Sequence, residues 1–149
     1  MKDYVDPRMH TAEHILNQTM IRMFDCERSF SSHIERKKSK CDYHFDRALA
    51  DREVKEIDRQ VNDVIQADLM VEEGFISLAE AQKKYDLKRL PDSVDHEIRI
   101  VRIGDYDACP CIGPHAASTA EIGRFWIAST SFENGTLRIR FKIAHREKD

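Results

Sequence analysis

Two short stretches carry most of the side chains able to do chemistry. In "DACPCIGPHAAS", from Asp107 to Ser118, Cys109, Cys111 and His115 lie among Pro110, Gly113 and Pro114. In "HTAEHIL", from His10 to Leu16, two histidines stand four residues apart. On a helix, residues four apart project from one face about a turn from each other, so His10 and His14 can aim two imidazoles at one ion. Prolines and a glycine restrict or permit sharp turns, so a loop here can present the Cys111 thiolate and the His115 imidazole together. Three imidazoles and a thiolate are a donor set that suits zinc. The two pairs are far apart in the chain, and spacing alone leaves a shared zinc site and two unrelated pairs equally open.

Neighbouring residues are less telling. In a His-Glu-x-x-His protease helix the glutamate directly follows the first histidine. Here Thr11 holds that place and Glu13 precedes the second histidine, so Glu13 is expected on the solvent side of the helix. "CPC" is not the Cys-x-x-Cys redox spacing. Cys109 is left outside the ligand set, as a supporting group, an alternative ligand or a thiol near the substrate. His33, His44, His96 and His145 fall in predicted strands or at their edges and are expected to be structural. Cys26 and Cys41 are expected to be plain buried thiols.

The elements that must position these residues follow from periodicity. Met9, Ala12, Leu16, Met20 and Met23 share a face at helical spacing, which predicts a helix over about 8–24. "RSFSSHIE" and "CDYHFD" alternate as half-buried strands joined by the basic run "ERKKSK". Val54, Ile57, Val61 and Val64 stripe a second helix in "DREVKEIDRQVNDVIQADL". "MVEEGFIS" reads as a strand, "SLAEAQKKY" as a short helix with a capping box from Ser77 to Glu80, and "DLKRLPDSVD" as a loop. "HEIRIVRIG" is a strand leading into the Cys/His loop, and two strands flank the hairpin turn Asn134-Gly135. The sum is α+β: a single domain with an antiparallel sheet and helices packed on one face.

The totals set outer limits. The chain has 149 residues, 41% hydrophobic and 34% charged, with four cysteines and a net charge of −3. No apolar run is long enough to span a bilayer. "MKDYVDPRMH" has no hydrophobic signal core, so a cytoplasmic protein with free or metal-bound thiols is expected, with no membrane partner. The net charge argues against a protein that coats nucleic acid through bulk attraction, but leaves room for a local basic patch.

At its histidine and cysteine motifs the sequence resembles the editing domain of alanyl-tRNA synthetases and the related second additional domain of threonyl-tRNA synthetases. "HTAEHIL" and "DACPCIGPH", continued by "TAEIGRF", carry the resemblance, which runs from His10 to the tail "GTLRIRFKI". It is nearest to the free-standing AlaX trans-editing proteins. The resemblance implies one editing-like domain over residues 1–149, with Zn2+ held by His10, His14, Cys111 and His115. It implies hydrolysis of the ester joining a wrong amino acid to the tRNA 3′ end, with Ser- or Gly-tRNA(Ala) as substrate. Zinc-bound water is then the nucleophile, with no clear protein base. Ser31, Ser32, Cys109 and Gly113 are the candidate substrate contacts, and Arg36, Lys37, Lys38 and Lys40 the candidate contacts to the tRNA acceptor end. The loop Cys111-Ile112-Gly113-Pro114-His115 departs from the Cys-Gly-Gly-Thr-His of the alanyl type and ends as the threonyl type does. That departure opens two alternatives: action on another small ester or amide, and a non-catalytic RNA-binding module whose four ligands close a structural zinc site.

Overall fold

The computed structural model describes residues 6–87 and 97–144. The expectations for His96, His145 and most of the loop after the short helix fall outside these residues.

Helix α1 spans Pro7–Phe24. Asp6 caps it by accepting from the Arg8 N–H, and Pro7 occupies the first turn, where no N–H is needed. It stops at Asp25, a left-handed residue at φ 56° whose N–H returns to the Ile21 carbonyl. Then come β1 (Ser31–His33), β2 (Ser39–His44), α2 (Asp51–Gln66), β3 (Val71–Ser77), α3 (Leu78–Lys84), β4 (Glu97–Ile103) and β5 (Asp107–Pro110). A 3-10 turn at Thr119–Ile122 precedes β6 (Arg124–Glu133) and β7 (Thr136–Ala144). Ser77 caps α3 by accepting from the Glu80 N–H, as its spacing predicts.

The fold is α+β with antiparallel pairing throughout, but the strands form two sheets rather than one. The larger has the order β1-β2-β7-β6 and the smaller β3-β4-β5. The unexpected strand is β5: "DACP" leaves β4 through a turn at Gly104 and pairs back onto it, Val101 opposite Cys109. Cys109 is therefore a strand residue, not a loop residue.

The main core lies between the larger sheet and the two long helices. Leu137, Ile139 and Phe141 of β7 and Cys41 and Tyr43 of β2 pack with Met9, Ala12, Leu16 and Met20 of α1 and Ile57, Val61 and Ile65 of α2. Burying each large apolar side chain contributes about 1.5–3 kcal/mol relative to leaving it exposed. Helix α2 also closes the sheet's β6 edge. Asn62 exchanges hydrogen bonds with the Phe125 backbone at 2.8 and 2.9 Å, and Asp58 accepts from the Ile127 N–H at 2.9 Å. These bonds satisfy edge groups that would otherwise template pairing with another chain. No helix among the described residues is long and apolar enough to cross a membrane.

Candidate metal centre

Helix α1 and the segment after β5 meet at the helix's first turns. That segment is held at both ends by backbone and side-chain bonds. Cys111 N–H donates to the Arg99 carbonyl, and the Arg99 guanidinium donates to the carbonyls of Cys111 and Gly113 at 3.0 and 2.8 Å. Downstream, buried Thr119 accepts from the Leu69 N–H and donates to the Val64 carbonyl, tying the segment to the end of α2.

The result brings one donor atom each of His10, His14, Cys111 and His115 within 4.8 Å of one another. The two pairs that the sequence left open to separate fates thus form one cluster. Cys111 Sγ lies 3.4 Å from His10 Nε2, and the His10 and His115 rings stack with centroids 4.2 Å apart.

Two of the three imidazoles have their other nitrogen hydrogen-bonded. His10 Nδ1 is 3.0 Å from the Pro114 carbonyl, which can only accept, so Nδ1 carries the proton and Nε2 the lone pair. His115 Nδ1 is 2.9 Å from Thr11 Oγ1. The Thr11 hydroxyl donates its one hydrogen to the Pro7 carbonyl and accepts from the Ala116 N–H. It therefore accepts from His115 Nδ1–H as well, which leaves the lone pair of His115 on Nε2. That Nε2 is buried and has no hydrogen-bond partner. His14 Nδ1 is likewise buried without a hydrogen-bond partner and faces Asp107 Oδ2 at 3.6 Å, close enough for the carboxylate to orient the ring. Buried nitrogens without partners are costly unless something else binds them. A histidine with one nitrogen held and the other free is the arrangement of a metal ligand. The residues fit zinc.

The electrostatics favour the metal-binding forms of Cys111 and His115, whereas a metal at His14 must displace a proton. Burial disfavours the charged form of His14, yet Asp107 and Cys111 beside it raise its pKa above the usual value. Burial also disfavours the Cys111 thiolate, but His14 and the Gly113 N–H outweigh it and lower the thiol's pKa, favouring the form that binds metal. Burial beside two other imidazoles brings His115 down to about 2, keeping it neutral. By contrast, burial pushes the Cys109 thiol up to about 12. Cys109 lies outside the cluster, with Sγ against the Pro110 carbonyl.

Glu13 is not a solvent-facing residue. It is 5% exposed; one carboxylate oxygen accepts from Ser32 Oγ at 2.8 Å, and the other lies 3.7 Å from His10 Nε2. The helix is buried on more of its circumference than its apolar stripe suggests, because β1 covers the polar flank. Asp107, Arg28 and Thr11 also belong here, and the sequence did not mark them. Asp107 is buried and binds the Arg28 guanidinium through both oxygens at 2.9 and 3.1 Å, and Gln18 at 2.8 Å. Despite its burial, Arg28 and His14 hold its carboxyl well below the usual range. The only signal available was position: Asp107 opens the cysteine motif, and Thr11 sits between the histidines.

Among the other candidate contacts, Ser32 turns inward to Glu13 and Ser29, while Ser31 is exposed on the opposite side of β1. Gly113 packs against His10: a Cβ there would stand 2.4 Å from the ring. The basic run divides. Arg36 lines an open cleft of about 500 Å³ together with Pro7, Arg8, His115, Ala116 and Glu121. Lys37 and Lys38 are exposed in the turn, and Lys40 is on β2, opposite Arg140. Cys41 is buried as expected, whereas Cys26 is only half-buried.

Residues 98–140, which include Cys111 and His115 but not the histidines of α1, match the family described as the threonyl and alanyl tRNA synthetase second additional domain. Over nearly its whole length the chain is also similar to alanine–tRNA ligases. It is 30% identical to that of Treponema denticola over 91% of the chain, and 31% identical to that of Methanopyrus kandleri over 90%. To that of Coxiella burnetii it is 32% identical over 83%. The chain spans 23%, 15% and 14% of those ligases. By sequence, then, the chain is a relative of the second additional domain of threonyl- and alanyl-tRNA synthetases, the alanyl-tRNA synthetase editing-domain family.

Proposed function

We propose that the chain is a zinc-dependent aminoacyl-tRNA deacylase that clears mischarged tRNA in trans, with Ser- or Gly-tRNA(Ala) as substrate. It acts as one editing-type domain over residues 1–149, in the cytoplasm, on the aminoacylated 3′ end. The observation that carries this reading is the convergence of His10, His14, Cys111 and His115, with one nitrogen of His10 and of His115 held and His14 facing Asp107, in a chain related to alanine–tRNA ligases. Zinc bound there supplies a Lewis acid that polarises an ester carbonyl or lowers the pKa of water.

The chain's own residues do the rest. Asp107, Thr11 and the Pro114 carbonyl fix the three rings. Glu13, oriented by Ser32, stands beside His10 to take a proton as the ester is attacked. Ser32, Cys109 and Gly113 border the aminoacyl group. The cleft between His115 and Arg36 receives the terminal nucleotides, and the exposed Lys37 and Lys38 that follow Arg36 meet the acceptor end. A second reading rests on the four-donor set itself, which also suits a closed structural zinc in a binding module.

The test is deacylation of Ser-tRNA(Ala), Gly-tRNA(Ala) and Ser-tRNA(Thr) beside their correctly charged counterparts. Selective loss of a mischarged species is expected, abolished by His14→Ala and Cys111→Ala. Glu13→Gln should keep one zinc per chain and lower kcat by about 10²–10⁴. Failure of the folded, zinc-loaded chain to turn over any species overturns the reading. Chelation that unfolds the chain, rather than only silencing it, favours the structural zinc.

A further inference from the structure

The outward face of the larger sheet has a composition that folding does not explain. Along β7, Leu137, Ile139 and Phe141 enter the core, which sends Arg138, Arg140 and Lys142 to the other side. Along β2, Cys41 and Tyr43 point in, and Lys40, Asp42 and His44 point out. The register sets Trp126 of β6 beside Lys142, and the Arg124 guanidinium lies 4.8 Å over the Trp126 ring. Phe30, 42% exposed, stacks on His44 with centroids 4.1 Å apart.

Lys40, Arg124, Arg138, Arg140 and Lys142 thus share one face with the carboxylates Asp42 and Glu133, in a chain whose net charge is −3. Asp42 is committed to Arg138 at 2.7 and 2.9 Å. Lys40 and Arg140 stand directly opposite each other in the ladder, a like-charge pair that costs stability. Cations segregated against the sign of the whole chain, interleaved with aromatic rings, are complementary to a phosphate backbone. A lipid surface fits less well, because the outward positions hold no aliphatic side chain to insert and both large aromatics are already stacked.

We propose that this face is where the helical backbone of an RNA docks, with Lys40, Arg124, Arg140 and Lys142 meeting phosphates. The inference rests on the tRNA reading above and extends it. Edge strand β1 separates the face from the metal centre, with exposed Ser31 on one side and Ser32, bonded to Glu13, on the other. An RNA lying on the face reaches the centre by turning its end around that edge.

The experiment measures binding of an uncharged acceptor-stem minihelix by fluorescence anisotropy over a salt series. Arg140→Gln/Lys142→Gln should bind at least about tenfold more weakly, with a salt slope lower by about two, because fewer counterions are released. Arg52→Gln/Lys55→Gln, which removes the same charge from exposed positions on α2, should stay within about twofold of wild type. Lys40→Gln, on the neighbouring strand, reads the same face if the double variant folds poorly, and should lower the slope by about one. A wild-type chain that binds the minihelix with this salt slope but deacylates no charged tRNA strikes the catalytic reading and spares this one. Unchanged affinity and slope in the face variants overturn the proposal. So does a wild-type chain that ignores the minihelix, or that prefers vesicles of anionic phospholipid.

Discussion

Thr11 Oγ1 and His115 Nδ1 lie 2.9 Å apart, and the bond fixes which nitrogen of His115 is left for a metal. Thr11→Val keeps the shape and removes the acceptor. Zinc affinity should fall about 10–100-fold, read by competition with a chromogenic chelator. Asp107→Asn, which removes the carboxylate facing His14, should lower it by a similar factor. Unchanged affinity in both would mean that the rings are held by packing alone.

Gly113 is placed so that only a hydrogen fits. An added Cβ would meet His10 Cε1 at 2.4 Å and Nδ1 at 2.8 Å. The ring cannot yield freely, since it is bonded to the Pro114 carbonyl and stacked on His115. Gly113→Ala should therefore lower zinc affinity at least about tenfold. Zinc content after dialysis checks this, with a crystal structure of the variant to show whether His10 has moved.

Asn17 anchors the polar layer beneath the centre. Its Oδ1 accepts from Tyr43 Oη at 2.7 Å and from the Ser29 N–H at 3.2 Å, and both Asn17 and Tyr43 are buried. Asn17→Ala strands two donors, each costing about 1–3 kcal/mol when left unmade. A loss of about 3 kcal/mol is expected in urea unfolding. Adding Tyr43→Phe should recover part of it, since one stranded donor is then gone.

Asp42 and Arg138 link β2 to β7. The Arg138 hydrogen bonds outweigh partial burial and hold the Asp42 pKa below its usual value. A group whose pKa is lower folded than unfolded stabilises the fold above its unfolded pKa of about 3.9, and loses that contribution as pH falls through the folded value. Asp42→Asn should thus be less stable than wild type at pH 7, with the gap closing in strongly acidic urea titrations. A gap independent of pH would assign the effect to hydrogen-bond geometry instead of charge.

Periodic patterns made much of this legible. The stripe on α1, the capping residue of α3 and the Asn134-Gly135 turn are local, and they appear where spacing places them. The ligand set was legible as two pairs. Their union was not, because it depends on packing between segments that no periodicity connects. Burial of Glu13 is not legible in the sequence because an apolar stripe reports only the side of a helix facing the core. A second covered flank, where β1 lies over Glu13 and Asn17, is polar and looks like surface. β5 was hidden by Pro110, and Asp107 by the cysteines beside it.

His10 and Cys111, whose donor atoms touch, are 101 residues apart in the chain. During synthesis the amino-terminal half of the centre exists long before its complement. A metal captured by His10 and His14 alone has two donors and is readily exchanged; the cluster is completed only once the segment through His115 has left the ribosome. An ion held by all four residues would close a loop of about a hundred residues, a topological tie that on a chain-entropy estimate is comparable to a cross-link of about 4–5 kcal/mol. A product lacking the last third of the chain would retain only the His10–His14 half of the cluster.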